Sequence, residues 1–232
     1  MSSTSAWKLR RLAPRAIRVQ ARRAGDAPVL AVFAQTLPIK ANAFIAAYDA
    51  AAKYNNAWQR EMKEGKGAVA KLVSNIRSWL PLLARDIPEF DPSSFADKPD
   101  VPDDVIEDGN RLLEIIGEST DAQGKPLDYA TVAISALTDS LAAANKEWSE
   151  AEAADSKYQE LLRDVRATSA VFDLELQTFR RTLGNVAGRS DKDFQKLRTE
   201  RASHKDDEDD PEAPAPPAPV TPAAKGDPPS GK

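Results

Sequence analysis

ISALTDSLAAANKEWSEAEAADSKYQELLRDVRATSAVFDLELQTFRRTL occupies Ile134 to Leu183, within the 57 residues between Pro126 and Gly184 that contain neither proline nor glycine. Alternating steps of three and four residues from Ile134 give fifteen positions, of which thirteen are apolar. A strict three-four spacing held this long is typical of the seam of a coiled-coil-like helix pair. It predicts a long helix over about residues 128–183, whose seam includes Trp148, Leu162, Phe172 and Phe179.

Asp155 is a polar residue on this ladder and leaves one alternative open. It lies in ADSK (Ala154–Lys157), where Asp155 or Ser156 would cap a second helix if the chain turned there. The apolar register passes through Asp155 without resetting. The pattern therefore favours one continuous helix over a kink or turn.

A second stretch, ninety residues earlier, follows the same ladder. Nine of its twelve positions from Phe44 to Leu82 are apolar. Asn55-x-x-Trp58 coincides with Asn145-x-x-Trp148, with both tryptophans on the same rung. These matches predict an internal repeat at an offset of 90 residues, in which Trp58 and Trp148 are seam residues rather than parts of a paired site.

Prolines and glycines set the expected limits of this earlier helix. TLPIK places Pro38 at a helix start, where proline is tolerated, and Pro81 ends or kinks the helix. We expect a helix over about residues 38–80, or a kinked one continuing to 87. Gly65 and Gly67 cost roughly 2 kcal/mol in a helix interior, so a hairpin turn at EGKGA is the alternative to a continuous or locally bent helix.

A shorter amphipathic stretch lies between the two long ones. Val105, Leu112, Ile115 and Ile116 share one face, and Asp103 with Asp104 stands at the N-terminal end that favours acids. A short helix over about residues 103–117 is predicted. The fold class is therefore all-α: an elongated, antiparallel, coiled-coil-like bundle over residues 36–203 made from two long pseudo-repeated helices and a short one. A helix pair leaves apolar faces uncovered, so we also expect a homo-oligomer.

Residues 1–35 form a basic segment without an acid before Asp26. Pro14 would be acceptable as the first residue of a short helix over residues 14–24 that Gly25 ends. We expect an N-terminal arm that is solvated, binds an anionic surface, or binds an acidic partner such as the chain's own acidic tail. The candidate anion-binding residues are Lys8, Arg10, Arg11, Arg15, Arg18, Arg22 and Arg23.

Residues 204–232 have the opposite charge and a composition typical of disorder. Asp206 to Asp210 is a run of five acids, and eight of the seventeen prolines lie between Pro211 and Pro229. Such a segment buries too little apolar surface to offset its ordering entropy. A disordered, solubilising, proline-rich tail is predicted in preference to a proline-motif ligand.

Composition argues against most catalytic chemistry. The chain has no cysteine and one histidine, His204, so thiolate sites, multi-histidine metal sites and cysteine nucleophiles are excluded. No phosphate-binding loop occurs around Gly65, and acidic pairs such as Glu147 with Glu150 lack the accompanying Glu-x-x-His of di-metal bundles. We expect no enzyme activity, no cofactor and no metal. No apolar run reaches the roughly 20 residues of a membrane span, and a cytoplasmic protein is expected.

These features favour a non-enzymatic structural or adaptor protein that presents helical surfaces and charged arms to protein partners. The alternative is a protein that binds nucleic acid or anionic membrane headgroups through residues 8–23. The stretch DFQKLRTERASHK (residues 193–205) is interpreted as a solvated helix end, because acids interrupt its basic residues. No small-molecule substrate is implied.

Overall fold

The computed structural model describes residues 5–87, 89–95, 101–120 and 124–198. Of these residues 86% are helical and none lies in a β-strand, which confirms the all-α bundle. The predicted tail at 204–232 and His204 lie outside the described residues. The helices are α1 (Ala6–Arg23), α2 (Pro28–Ala31), α3 (Phe33–Asp86), α4 (Pro102–Glu118), α5 (Ala130–Ala187) and α6 (Lys192–Lys196), with a 3₁₀ turn at Pro92–Ser94.

The chain divides into two compact units. The terminal unit is Met1–Asn42 with Val171–Lys232, and the central unit is Ala43–Ala170. Both α3 and α5 contribute residues to each unit.

In the central unit, α3 and α5 pack as an antiparallel pair. Nε1 of Trp58 donates to Asp155, and Nδ2 of Asn75 donates to the carbonyl of Ala136 and to the hydroxyl of Ser140. In these contacts higher residue numbers on α3 face lower residue numbers on α5, so the two helices run in opposite directions. Helix α4 covers this pair, and one contiguous core joins the three helices through buried residues that include Val69, Leu72, Ile76, Leu83, Val105, Leu112, Ile116, Leu137 and Leu141.

The terminal unit has its own apolar core. One face of α1 is buried with the beginning of α3 and the end of α5, and the rings of Phe33 and Phe179 meet edge to face at 5.3 Å. Thr36 and Lys40 on α3 both bond the carboxylate of Glu175 on α5. The buried residues include Leu9, Leu12, Ala13, Ala16, Val19, Leu30, Leu37, Phe172, Leu176, Leu183 and Leu197.

The structure buries, fully or in part, the side chains at the predicted seam positions of α5. Of its fifteen positions from Ile134 to Leu183, ten are buried and five are half-buried, so none is exposed. Phe172 and Phe179 are fully buried, whereas Trp148 and Leu162 are half-buried. The twelve positions on α3 are likewise all buried or half-buried, with Trp58 half-buried. The α5 helix runs through Asp155 without the turn that was the alternative.

Two polar residues of the ladder, Asp155 and Asn75, form hydrogen bonds between α3 and α5. The carboxylate of Asp155 accepts from the indole of Trp58 at 2.9 Å. Asn75 accepts from the indole of Trp79 at 2.9 Å while its own amide reaches α5. A half-buried polar side chain is tolerated in a helix seam when its hydrogen-bonding atoms are satisfied.

The helix limits differ from the predicted ones where proline was treated as a boundary. α3 begins at Phe33 rather than near Pro38, and it continues past Pro81 to Asp86, which agrees with the predicted alternative of a helix reaching about 87. α1 begins at Ala6 and contains Pro14 inside it, so the expected short helix over 14–24 was wrong in its start. A proline costs a helix about 3 kcal/mol. In α1 the burial of residues on both sides of Pro14 offsets that cost.

Helix α5 covers 130–187 rather than 128–183, and it passes through Gly184. Gly188 follows it with φ of 85°, the left-handed conformation that commonly ends a helix. Helix α4, at 102–118, agrees with the predicted 103–117, with Pro102 in its first turn. No break occurs in α3 at Gly65 or Gly67, so the hairpin alternative was wrong.

Candidate anion-binding surface of the terminal unit

Helix α1 holds the basic residues of the N-terminal segment in fixed positions. Its buried residues recur at helical spacing on one side, and its exposed arginines lie on another. Arg11, Arg15 and Arg18 are exposed and are separated by four and three residues, which places them on one face. The basic segment is therefore part of a packed helix rather than a loose arm.

The first turns of α1 carry an exposed tryptophan among basic groups. Trp7 is 42% exposed. The amine of Lys8 lies 5.9 Å from the centre of its ring, and the guanidinium of Arg11 lies 5.6 Å away. Such cation–π contacts stabilise a charge over an aromatic face. Lys8 and Arg10 are half-buried.

The last two predicted anion-binding residues contact acids of the same unit. Arg22 donates to Asp193 at 2.6 Å. Arg23 donates to Asp193 at 2.8 Å, to Asp191 at 2.6 Å and to Asp26 at 2.9 Å. The hydrogen bonds that Arg23 donates to Asp26, Asp193 and Asp191, of which that to Asp26 has the largest effect, raise the pKa of Arg23 above its ordinary value. The contacts attach the short helix α6 to α1.

Asp191 also caps α6. Its carboxylate accepts from the backbone N–H groups of Asp193 and Phe194 at 2.8 and 3.2 Å. Burial acts to raise the pKa of Asp191, but the two backbone hydrogen bonds and Arg23 outweigh it and hold the pKa below its usual value. Arg22 and Arg23 thus pair with acids of the terminal unit. Arg11, Arg15 and Arg18 are exposed on one face of α1, and we call these three residues the α1 arginine face.

Charge is divided between the two units. The described residues of the terminal unit include fourteen Lys and Arg against five Asp and Glu, a formal charge of +9. Those of the central unit include thirteen basic and twenty acidic residues, a formal charge of −7. The net charge of −4 for the whole sequence conceals this separation. A basic surface of this kind attracts anionic partners over several ångströms in a salt-dependent way.

Exposed apolar side chains are also concentrated in the terminal unit. Those of Val32, Ile39 and Leu174 are 68 to 69% exposed. Among the described residues, one helical stretch, Pro28–Asp86, contains an 18-residue window with mean hydropathy 1.5, long and apolar enough to cross a membrane by length and composition alone. Core helices of soluble proteins and signal sequences have the same property. The window was not anticipated from the sequence, because Gln35, Pro38 and Lys40 interrupt its apolar runs.

The structure brings together a second arginine cluster that was not predicted from the sequence. Arg180 and Arg181 on α5, Arg189 after it and Arg198 after α6 line one cleft of the terminal unit. They are spread over nineteen residues of sequence, and only the reversal of the chain between α5 and α6 brings them together. The signal in the sequence was the adjacent pair Arg180-Arg181, followed by Gly188, which allows the chain to turn back, and by Arg189.

The Asn-x-x-Trp residues occupy unlike surroundings. The indole of Trp58 stacks on Tyr158 with centroids 4.7 Å apart and donates to Asp155, whereas Nε1 of Trp148 is buried without a hydrogen-bond partner. Asn145 is exposed and donates to the carbonyl of Leu141. Asn55 is half-buried, and its Oδ1 has no partner. The internal repeat stays a prediction.

Acidic groups with the arrangement of a metal site do not occur in the described part of the chain. No protein-family model matches the sequence, and comparisons with curated proteins and with solved structures gave no significant match. Functional assignment therefore rests on the residues of this chain.

Proposed function

We propose that the protein is a non-enzymatic structural or adaptor protein. The paired long helices form the scaffold, and the α1 arginine face of the terminal unit binds acidic surfaces of protein partners. The observation that carries this proposal is the exposure of Arg11, Arg15 and Arg18 on a helix whose opposite side is buried. A helix fixed in this way presents its charges at constant spacing without first having to be ordered.

The spacing of the face suits a complementary acidic helix or strand. Arg15 lies about 6 Å along the axis from Arg11, and Arg18 about 4.5 Å further, at 1.5 Å per residue. Guanidinium groups at these intervals can each bind a carboxylate in two-point fashion. Electrostatic complementarity of this sort accelerates association and fixes orientation more than it adds affinity.

The division of charge supports an adaptor that joins unlike partners. The basic terminal unit favours acidic surfaces, and the acidic central unit favours basic ones. The seam of α3 and α5 and the core beneath α4 involve ordinary side-chain packing, which is the role expected of a scaffold.

A second candidate function is association with an anionic membrane surface. It is favoured by the exposed apolar side chains of the same unit, among them Trp7, Val29, Val32 and Ile39. Basic and apolar groups on one surface are typical of peripheral membrane proteins, where arginine contacts headgroups and the apolar side chains enter the interface. Double-stranded nucleic acid would use the arginines alone.

Substitution is a better test of both candidates than truncation, because removing residues 1–25 would also remove Leu9, Leu12 and Ala16 from the core. The test variant replaces Arg11, Arg15 and Arg18 by Gln. The control replaces Lys71, Arg163 and Arg166 by Gln. These three residues are exposed in the central unit, and their replacement changes the net charge by the same amount as the test variant.

Cross-linking followed by quantitative mass spectrometry identifies partners of the native protein, the test variant and the control. We expect acidic partners that the control retains and the test variant loses, with binding that weakens as salt is raised. Flotation with vesicles containing about 30% phosphatidylserine tests the second candidate. An unchanged set of partners in the test variant would contradict the role of the α1 arginine face, and loss of vesicle binding without loss of partners would favour the membrane instead.

A further inference from the structure

The terminal unit contains a cleft of about 760 Å³ between the end of α5 and α6. Its walls carry four arginines, Arg180, Arg181, Arg189 and Arg198, against one acid, Asp173. We propose that this arginine cleft is a binding site for a small phosphoryl compound bearing at least two negative charges, such as a diphosphate group. The site goes beyond the adaptor function and involves none of the α1 arginine face.

The four arginines differ from the structural arginines of the same unit. Arg22 and Arg23 have carboxylate partners at 2.6 to 2.9 Å. Among the described residues no carboxylate lies within ion-pair distance of the cleft arginines, and the guanidinium of Arg198 donates to the side-chain amide oxygen of Gln195 at 3.1 Å. The carboxylates of Asp191 and Asp193 pair with Arg22 and Arg23, whereas the four arginines that line the cleft have no carboxylate partner among the described residues.

Arg180 is the deepest of the four. It is half-buried, and its Nε atom is buried without a hydrogen-bond partner. Burial and the nearby charge of Arg198 lower its pKa below the ordinary value, and the charge of Asp173 only partly opposes them. A buried guanidinium N–H without an acceptor is costly. An anion seated in the cleft would reduce the repulsion between Arg180 and Arg198.

Contacts among α5, α6 and α1 hold the walls of the cleft in place. A methyl group built on Gly184 would lie 2.7 Å from the ring of Phe194, so the absence of a side chain there lets α6 approach α5. Gly188 turns the chain in the left-handed conformation, and Asp191 caps the helix that follows. Arg23 then fastens α6 through Asp191 and Asp193. These contacts fix the backbone that carries the cleft arginines, so an anion would have to order their side chains but not the backbone.

The residue types in the cleft select phosphoryl oxygens. Guanidinium groups match the bidentate geometry of phosphate, and several of them together favour a ligand with more than one negative charge. Gln177 and Asn185 also line the cleft and supply neutral amide donors, while Leu176 and Phe194 supply an apolar wall. The volume exceeds that of one phosphate group and is within the usual range for small-molecule sites.

Isothermal titration calorimetry with inorganic pyrophosphate, ATP and citrate tests the proposal on the full chain. We expect pyrophosphate and ATP to bind and citrate to bind at least tenfold more weakly. In Arg180→Gln and in Arg198→Gln the dissociation constant for pyrophosphate should rise roughly 10- to 100-fold, the effect of losing one charged hydrogen-bond donor. The matched control is Arg166→Gln, an exposed arginine of the same helix α5, for which we expect less than a twofold change.

Binding of ATP but not of pyrophosphate alone would mean that the nucleoside is recognised and would overturn the assignment to the phosphoryl group. Equal affinity for citrate would reduce the cleft to nonspecific anion attraction. An equal loss in Arg166→Gln would do the same, because the effect would then follow net charge rather than position.

Thermal unfolding provides a readout that does not depend on calorimetric heats. Pyrophosphate should raise the melting temperature of the native protein, and at the same concentration it should raise that of Arg180→Gln much less. Removal of residues 204–232 tests the chain's own acidic run at Asp206–Asp210 as a competitor. Unchanged or tighter pyrophosphate binding after the removal supports the cleft as the site, and loss of binding would overturn it.

Discussion

Replacement of Gly65 by alanine tests the close approach of α3 and α5. A methyl group on Gly65 would lie 2.8 Å from Cβ of Ala151, 3.0 Å from the carbonyl oxygen of Glu147 and 3.3 Å from the ring of Trp148. Two of these contacts are with backbone or with a Cβ atom, which cannot rotate away. Gly67, two residues on, is the matched control, because nothing lies within 4 Å of the equivalent methyl group there.

The two substitutions should change the free energy of unfolding in opposite directions. Alanine in place of glycine in a helix interior contributes about 0.5–1 kcal/mol, so Gly67→Ala should be stabilising by that amount. In Gly65→Ala the same stabilisation is outweighed by overpacking, which costs roughly 1–3 kcal/mol because the two helices have to move apart. The net effect is a destabilisation of about 1 kcal/mol, and the two variants should differ by about 2 kcal/mol.

Urea unfolding followed by circular dichroism measures both values, and a difference of about 2 kcal/mol corresponds to roughly 4–8 °C in melting temperature for a chain of this size. If Gly65→Ala proves as stable as Gly67→Ala, the close packing of α3 against α5 at this point is refuted. The double variant Gly65→Ala with Ala151→Gly should recover part of the loss, because it removes the nearest contact.

Two further predictions concern polar contacts. Trp58→Phe should lower the free energy of unfolding by about 1–2 kcal/mol more than Trp148→Phe, because only the indole of Trp58 donates a hydrogen bond, to Asp155; equal losses in urea unfolding would contradict the seam hydrogen bond. Burial acts to raise the pKa of Glu175, but the hydrogen bonds from Lys40 and Thr36 outweigh it and hold the pKa below its ordinary value. A depressed carboxyl pKa stabilises the fold above the unfolded value of 4.5 and ceases to do so as pH falls through the folded value. The difference of roughly 1 kcal/mol between the native protein and Glu175→Gln at neutral pH should therefore disappear on acidification, and a difference independent of pH would refute this origin.

The sequence predicted those parts of the fold that depend on local periodicity. The ladder from Ile134 to Leu183 identified α5 and its buried side because helical burial repeats every three to four residues. It did not predict that α1 continues through Pro14, since the local cost of proline is offset by packing against residues far away in the chain. Contacts between distant residues, such as Arg23 with Asp193, leave no periodic trace in the sequence.

The candidate sites divide in the same way. The residues of the α1 arginine face were among the predicted basic residues because they lie close together in the sequence, although the helix predicted over 14–24 left out Arg11. The arginine cleft could not, because Arg180 and Arg198 meet only when the chain reverses at Gly188 and α6 is fastened back. The pairing of Arg22 and Arg23 depends on two acids: Asp193, which begins the stretch that was interpreted as a solvated helix end, and Asp191, which lies two residues before it.

The contact of Arg22 with Asp193 joins residues 171 positions apart, and it imposes an order on folding during synthesis. The central unit is one continuous segment, Ala43–Ala170, and can assemble as soon as that segment has left the ribosome. The terminal unit must wait, because α1 is made first and its partners on α5 and α6 are made some 150 residues later. During that interval Leu9, Leu12 and Val19 have no core to enter and the cost of Pro14 is not offset by packing, so residues 6–23 are an exposed segment of apolar and basic residues. Chaperones, the ribosomal surface and the membrane would meet α1 in this state before the finished protein covers its apolar side.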